Sequence, residues 1–210
     1  MLLVSLPESL QEICGGLFMY CHELEKVSLP TSLIRIMDSA FENCNCLREI
    51  VIPNGVESIG KNVFASCEKL EEIIIPDSVK YIGDCSFQEC VSLTRVTLPS
   101  GLEKIGTKLF ASCKGLLAVT VPYGVTEIGS EAFSDCEKLM KINIPDTVKE
   151  IKNSAFRNCK NLKIISIPDS VMSFGHYGPI FDGCTNLKIT VVKDSKADAY
   201  CKRNGYIVKY

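Results

Sequence analysis

The stretch FASCEKLEEIIIP, residues 64–76, returns at residues 110–122 as FASCKGLLAVTVP. Its landmarks recur along nearly the whole chain. Pro7, Pro30, Pro53, Pro76, Pro99, Pro122, Pro145 and Pro168 are spaced 23 residues apart, and only Pro179 stands outside the series. Phenylalanines keep the same step at Phe18, Phe41, Phe64, Phe87, Phe110, Phe133 and Phe156, and an eighth, Phe181, comes two residues late. A cysteine follows each phenylalanine by three residues, from Cys21 to Cys184, and a leucine follows each cysteine by three, from Leu24 to Leu187. Self-similarity at a fixed period of this length is the signature of a stacked repeat architecture.

The unit reads L-x-x-[IV]-x-[ILV]-P-x-[SGT]-[VL]-x-x-I-G-x-x-[AVL]-F-x-x-C-x-x-L. Its first part alternates apolar and polar residues, as in Leu93 to Leu98, which predicts a strand buried on one face. Proline ends that strand because it has no N–H to give a ladder. Pairs such as Asn54-Gly55 and Asp77-Ser78 supply turn chemistry. A second short extended piece, Val79 to Ile82 in its coil, closes on Gly83. The following Ala132-Phe133-Ser134-Asp135-Cys136 and its equivalents place apolar residues as one helical turn would. No such unit can bury its apolar side alone, so coils must stack. Stacking sets equivalent strands about 4.8 Å apart in parallel sheets, and eight coils give a body on the order of 40 Å long. The expected fold is α/β: a solenoid of parallel strands with short helical turns on the other side.

The repeat resembles the leucine-rich repeats of the BspA-like type, over about residues 1 to 192. It departs from the commonest leucine-rich repeat, which carries Asn or Cys where Ser9, Ser32, Gly55, Ser78, Gly101, Gly124, Thr147 and Ser170 stand here. The resemblance implies binding or adhesion without catalysis, and an extracellular or cell-surface setting.

The ends depart from the period. After Val192 the repeat stops, and Ser195-x-x-Asp198 has the form of a capping box, with Asn204-Gly205 as a helix stop. Between them Ala197, Tyr200 and Cys201 share one face, and Tyr206 to Tyr210 reads as a closing strand. Residues 193–210 are therefore expected to form a C-terminal cap on a solenoid spanning 1–192. Met1 sits at a repeat's leucine position and the segment from Val4 to Pro7 already reads as strand, so the first coil is expected to start without a cap. Its open edge would favour self-association through the N-terminal end. Met1 to Pro7 does not have the form of a signal peptide. The eighth coil carries the two-residue insertion within Phe174 to Phe181, which bulges His176 and Tyr177 outward as a loop contact or as a tolerated length variant.

The chain has 12 cysteines, which in other settings would suggest disulfides, a metal or redox chemistry. Here the ladder cysteines fall between a buried Phe and a buried Leu, where a free thiol packs as a small hydrophobe. Parallel side chains on stacked backbones seldom offer disulfide geometry. Cys14, Cys46, Cys85 and Cys201 lie off the ladder, and Cys44-Asn45-Cys46 supplies too few ligands for zinc. His22 and His176 stand in no nucleophile–base arrangement, and no phosphate loop or dinucleotide fingerprint occurs. Glu71 and Glu72, adjacent on a strand, should point to opposite sides. Catalytic, metal and cofactor sites are thus not expected.

A net charge of −2 gives no reason to expect nucleic acid, and no apolar run is long enough to insert in a membrane. What remains is the outward face of the first strands, at positions two and four after each repeat leucine. These form two columns, Lys26, Glu49, Glu72, Arg95, Ala118, Lys141, Ile164 and Ser28, Val51, Ile74, Thr97, Thr120, Asn143, Ser166. Val51 beside Ile74 makes an apolar spot flanked by charge. The expected function is a protein-interaction or adhesion module holding a protein or other host-surface macromolecule on Glu49, Val51, Glu72, Ile74, Arg95, Thr97, Thr120, Lys141 and Asn143. The alternative is a structural spacer within a longer surface protein.

Overall fold

A computed structural model describes residues 2–210; Met1, with its place in the repeat, lies outside the described residues. Each coil holds two short strands that pair in parallel with those of its neighbours. The first strands include Leu24–Ser28, Glu72–Ile74, Arg95–Thr97, Ala118–Thr120 and Lys141–Asn143. The second strands run from Glu12–Ile13 through Tyr81–Ile82 to Ser173–Phe174. Registers follow the repeat, as in Ile73↔Val96 and Ile128↔Ile151. The first-strand face is interrupted at residues 49–51, where only the bridge Lys26↔Glu49 remains of the expected strand.

Between the second strand and the next leucine the chain makes successive tight turns, with Ala65 N–H bonded to Asn62 O, Cys67 N–H to Phe64 O and Leu70 N–H to Cys67 O, each at 3.1 Å. These turns do not extend into a helix because the residue two after each phenylalanine takes a left-handed conformation: Asn43 at φ 61°, Ser66 at 58°, Glu89 at 62° and Asp135 at 58°. The step upward to the next coil is made there. Phe64 N–H reaches forward to Ser86 O of the next coil at 2.8 Å, and Phe110 N–H to Ala132 O at 2.9 Å. The second strand bonds in the other sense, with Gly83 N–H reaching back to Ile59 O at 2.9 Å. Every coil is therefore clamped to both neighbours by backbone bonds on two sides.

Inside, the phenylalanines form one column of nearly parallel rings from Phe18 to Phe181, with centroids 5.1–5.6 Å apart. Phe41 through Phe156 are fully buried. Beside them runs the cysteine column, and its chemistry is specific. Cys136 Sγ donates to Phe110 O of the preceding coil at 3.1 Å, while that same oxygen accepts Cys113 N–H from its own coil at 3.1 Å. The pattern repeats from Cys44 on Phe18 O to Cys184 on Phe156 O. Each thiol thus supplies a weak donor to a buried carbonyl lone pair, a task that an aliphatic side chain of similar size cannot perform. All twelve cysteines are free thiols. Burial pushes the Cys44, Cys90 and Cys201 thiols up to about 12, so they are protonated and unreactive at neutral pH.

The C-terminal end closes the stack. Helix Lys196–Arg203 starts on Ser195, whose Oγ accepts Asp198 N–H at 3.1 Å. The Asp198 carboxylate does more than a capping box requires. It is buried and accepts from Asp194 N–H at 2.9 Å, Lys202 Nζ at 2.8 Å and Tyr210 Oη at 3.1 Å. The Lys202 ammonium, with the other donors, holds this carboxyl below its usual range. The helix ends at Gly205, φ 72°, with Gly205 N–H on Lys202 O and Tyr206 N–H on Cys201 O, the two bonds of a Schellman motif. Ala197, Tyr200 and Cys201 are buried against the last coil, and strand Val208–Lys209 pairs with Lys188–Thr190. Tyr206 meets Phe181 edge-on at 5.6 Å and ends the ring column. The N–H groups that would seek a ninth coil find tyrosine hydroxyls instead: Ile180 N–H on Tyr200 Oη at 2.9 Å and Phe181 N–H on Tyr206 Oη at 3.3 Å.

Two outcomes follow from this packing. Phe110→Ala removes a ring held between Phe87 and Phe133 and should cost about 3–5 kcal/mol in denaturant unfolding. Hydrogen exchange should quicken in the flanking coils as well, and protection lost near residue 110 alone would contradict the stacking. In native protein at pH 8, thiol reagents should spare the seven buried cysteines, Cys44, Cys67, Cys90, Cys113, Cys136, Cys159 and Cys201, and unfolding should release all twelve. More than five fast-reacting thiols in the folded state would refute the hydrogen-bonded ladder.

Candidate interaction face

The first strands alternate exposed, buried, exposed, as Glu72, Ile73 and Ile74 do, so the outward positions are set by the pleat and by the burial of the intervening residue. Stacking then aligns them in columns. In one column Lys26 pairs with Glu49, and Arg95 Nη2 lies 3.2 Å from Glu72 Oε2. Both are exposed cross-strand pairs worth under ~1 kcal/mol each, and they keep the charged end of the face locally neutral.

In the other column Val51 is 80% and Ile74 66% exposed, one coil apart, and Thr97 and Thr120 continue the line with exposed side chains. A shallow depression of about 310 Å³ lies against Val51, bounded by Lys26, Ser28, Thr31, Glu49 and Pro53. Farther along, Thr97, Thr120 and Tyr123 border another of about 380 Å³, and Tyr123 is 73% exposed. Tyr123 belongs to the turn after the strand, so strand alternation does not reveal it as part of this surface.

Three placements differ from the reading by alternation. Glu71 and Glu72 are both exposed and border one depression with Glu25, Arg48 and Arg95. Glu71 precedes the strand Glu72–Ile74, and the pleat does not govern it. For the same reason Leu117 and Met140, one position ahead of their strands, are exposed. Asn143 is engaged with backbone: its Oδ1 accepts Val121 N–H at 2.9 Å and its Nδ2 donates to Val121 O at 3.3 Å. In a coil such as Ile75, that N–H goes to the backbone oxygen of Thr97. The Asn143 amide takes over this rung, and the ladder from Lys141–Asn143 to Ile164–Ser166 is broken at the same place.

His176 and Tyr177 are exposed, on the loop beside the C-terminal helix, and share no depression with the strand face. His22 pairs through Nδ1 with Asn45 Oδ1 of the next coil. Among the described residues no group of three His, Cys, Asp or Glu could hold a metal ion, and no helix is long and apolar enough to cross a membrane.

Comparison with known proteins agrees with this geometry. A family described as BspA type leucine rich repeat region, in six copies, matches residues 3–117 and 103–198. A leucine-rich repeat protein of T. pallidum is 30% identical, with a TM-score of 0.71, over 99% of this chain and 85% of its own. One from Bacteroides ovatus is 29% identical, with a TM-score of 0.70 over 90% of this chain, which spans only 55% of that protein. A leucine rich cell surface protein from Faecalibacterium prausnitzii is 26% identical, with a TM-score of 0.54, over 84% of this chain and 60% of its own. No curated protein sequence matches.

Replacing Asn143 by alanine should leave Val121 N–H buried without a partner and cost about 1–3 kcal/mol. Equilibrium unfolding measures it, and an unchanged midpoint would mean that the backbone rung re-forms.

Proposed function

The chain belongs to the BspA-type leucine-rich repeat family, and we propose that it holds a protein ligand on the outward face of its first strands. The repeats build a protein-interaction scaffold. The observation that carries the reading is the pair Val51 and Ile74, two large apolar side chains left exposed on adjacent coils. Around them Glu49, Glu72 and Arg95 form a polar rim, and Thr97, Thr120 and Lys141 extend the same surface along the stack. An apolar centre with a charged border is the arrangement of protein interfaces, where a few central residues carry most of the affinity.

The ligand sits across several coils, each contributing one or two side chains, as extended solenoid surfaces allow. Likeness to the leucine rich cell surface protein of F. prausnitzii supports a setting at the cell exterior.

Binding of the purified chain to a panel of matrix and mucosal glycoproteins tests the reading. Val51→Lys combined with Ile74→Lys should weaken any specific binding at least about tenfold while leaving the unfolding midpoint in place. Equal binding by the double variant would move the site off this face, and absence of any ligand would favour a spacer.

A further inference from the structure

The two departures from the repeat, the inserted loop after Phe174 and the C-terminal helix, meet on one side of the molecule. They enclose two adjoining depressions of about 430 and 410 Å³ that share His176, Tyr200 and Arg203 in their walls. We propose that this is a second binding site, separate from the strand face, for an acidic oligosaccharide.

Charge carries the argument first. Along the coils some basic side chains are met by a carboxylate of a neighbouring coil, as Arg35 is by Glu12, Arg95 by Glu72 and Lys152 by Glu127, while Lys69 and Lys80 bond to a thiol and a backbone carbonyl. Lys196, Arg203 and His176 line the depressions, and among the described residues none of the three has an ion-pair partner. No carboxylate lines either depression. The helix's own acid, Asp198, is buried and engaged by Lys202 and Tyr210. Glu150 of the preceding coil is occupied by Ser173 Oγ at 3.1 Å. Lys196 and Arg203 are seven residues apart on one helix, about two turns and ~10 Å along its axis. Two cations so placed suit a ligand with acidic groups spaced along a chain better than a single small anion.

The floor is the second argument. Tyr200 stacks on Phe174 at 4.5 Å, and its hydroxyl is tied to Ile180 N–H. Arg203 lies over the Tyr200 ring, 5.9 Å from its centroid, so the guanidinium is set against an aromatic plane. Beside it Tyr177 is 95% exposed, a flat ring standing free at the rim. An aromatic face beside unpaired cations fits a sugar ring, whose C–H face packs on the aromatic plane while its carboxylate or sulfate meets the lysine and arginine. An acidic peptide would use the cations and leave the Tyr177 ring idle. The exposed ring favours the saccharide.

The test is calorimetric titration of the whole chain with a galacturonic acid tetramer, its methyl-esterified form and a hexaglutamate peptide. The acid tetramer should bind saturably, the neutral ester should not, and hexaglutamate should compete poorly. Lys196→Ala and Arg203→Ala should each weaken the tetramer about tenfold, the scale of one charge-assisted contact. Tyr177→Ala should weaken it as well, and Val51→Lys with Ile74→Lys should have no effect. Lys196 and Tyr177 are exposed, so their variants carry the test should Arg203→Ala loosen the cap. The proposal is overturned by no saturable binding of the acid tetramer, by equal binding of the ester, or by variants that bind as the parent does. Tighter binding of hexaglutamate would assign the site to acidic peptide and overturn the saccharide.

Discussion

From Phe18 to Phe156 each phenylalanine carbonyl of the column receives two donors, the cysteine N–H of its own turn and the cysteine thiol of the next coil, while successive rings stack on one another. This joint couples the turn inside a coil to the spacing between coils. The rest of the molecule depends on it, because the second strands are only two residues long and could not hold register alone. A carbonyl buried beside aromatic rings has no access to water, so its second lone pair is best met from within the core. Cysteine meets it with a side chain small and apolar enough to fill the same column.

A stack of this kind is directional. On the turn side N–H groups point toward the next coil, and on the second-strand side they point toward the previous one. Its last coil therefore presents donors that seek acceptors, and the cap answers with Tyr200 and Tyr206 rather than with another backbone. The same two rings continue the apolar contact, stacked on Phe174 and edge-on to Phe181. Hydrogen bonding and ring packing are closed together by one helix and its following turn, which Asp198 anchors from beneath.

Because the core is secured from inside, outward positions are free to differ from coil to coil. Charge pairs occupy the early coils, Val51 and Ile74 stand between, and Leu117, Met140 and Ile164 follow. The outward side chain of Asn143 is tied to the backbone, and there the ladder opens. The division into a constant interior and a variable face lets the outer side chains change without disturbing the stack.

The period of 23 residues, the burial of Phe, Cys and Leu, the alternation of the strands and the capping helix were all legible in the sequence, since each depends on spacing along one chain. The left-handed residues were not, because Ser66, Glu89 and Asp135 occupy positions where glycine would have announced the bend. Nor was the exposure of Glu71, Leu117 and Met140, which lie just ahead of strands whose first residue only the pairing defines. The thiol–carbonyl bond, the Asn143 rung and the meeting of the His176 loop with Arg203 join residues on different coils or elements. Such contacts are settled by how far each turn rises and where the helix lands, which are properties of the stacked backbone and leave no periodic mark in the residues themselves.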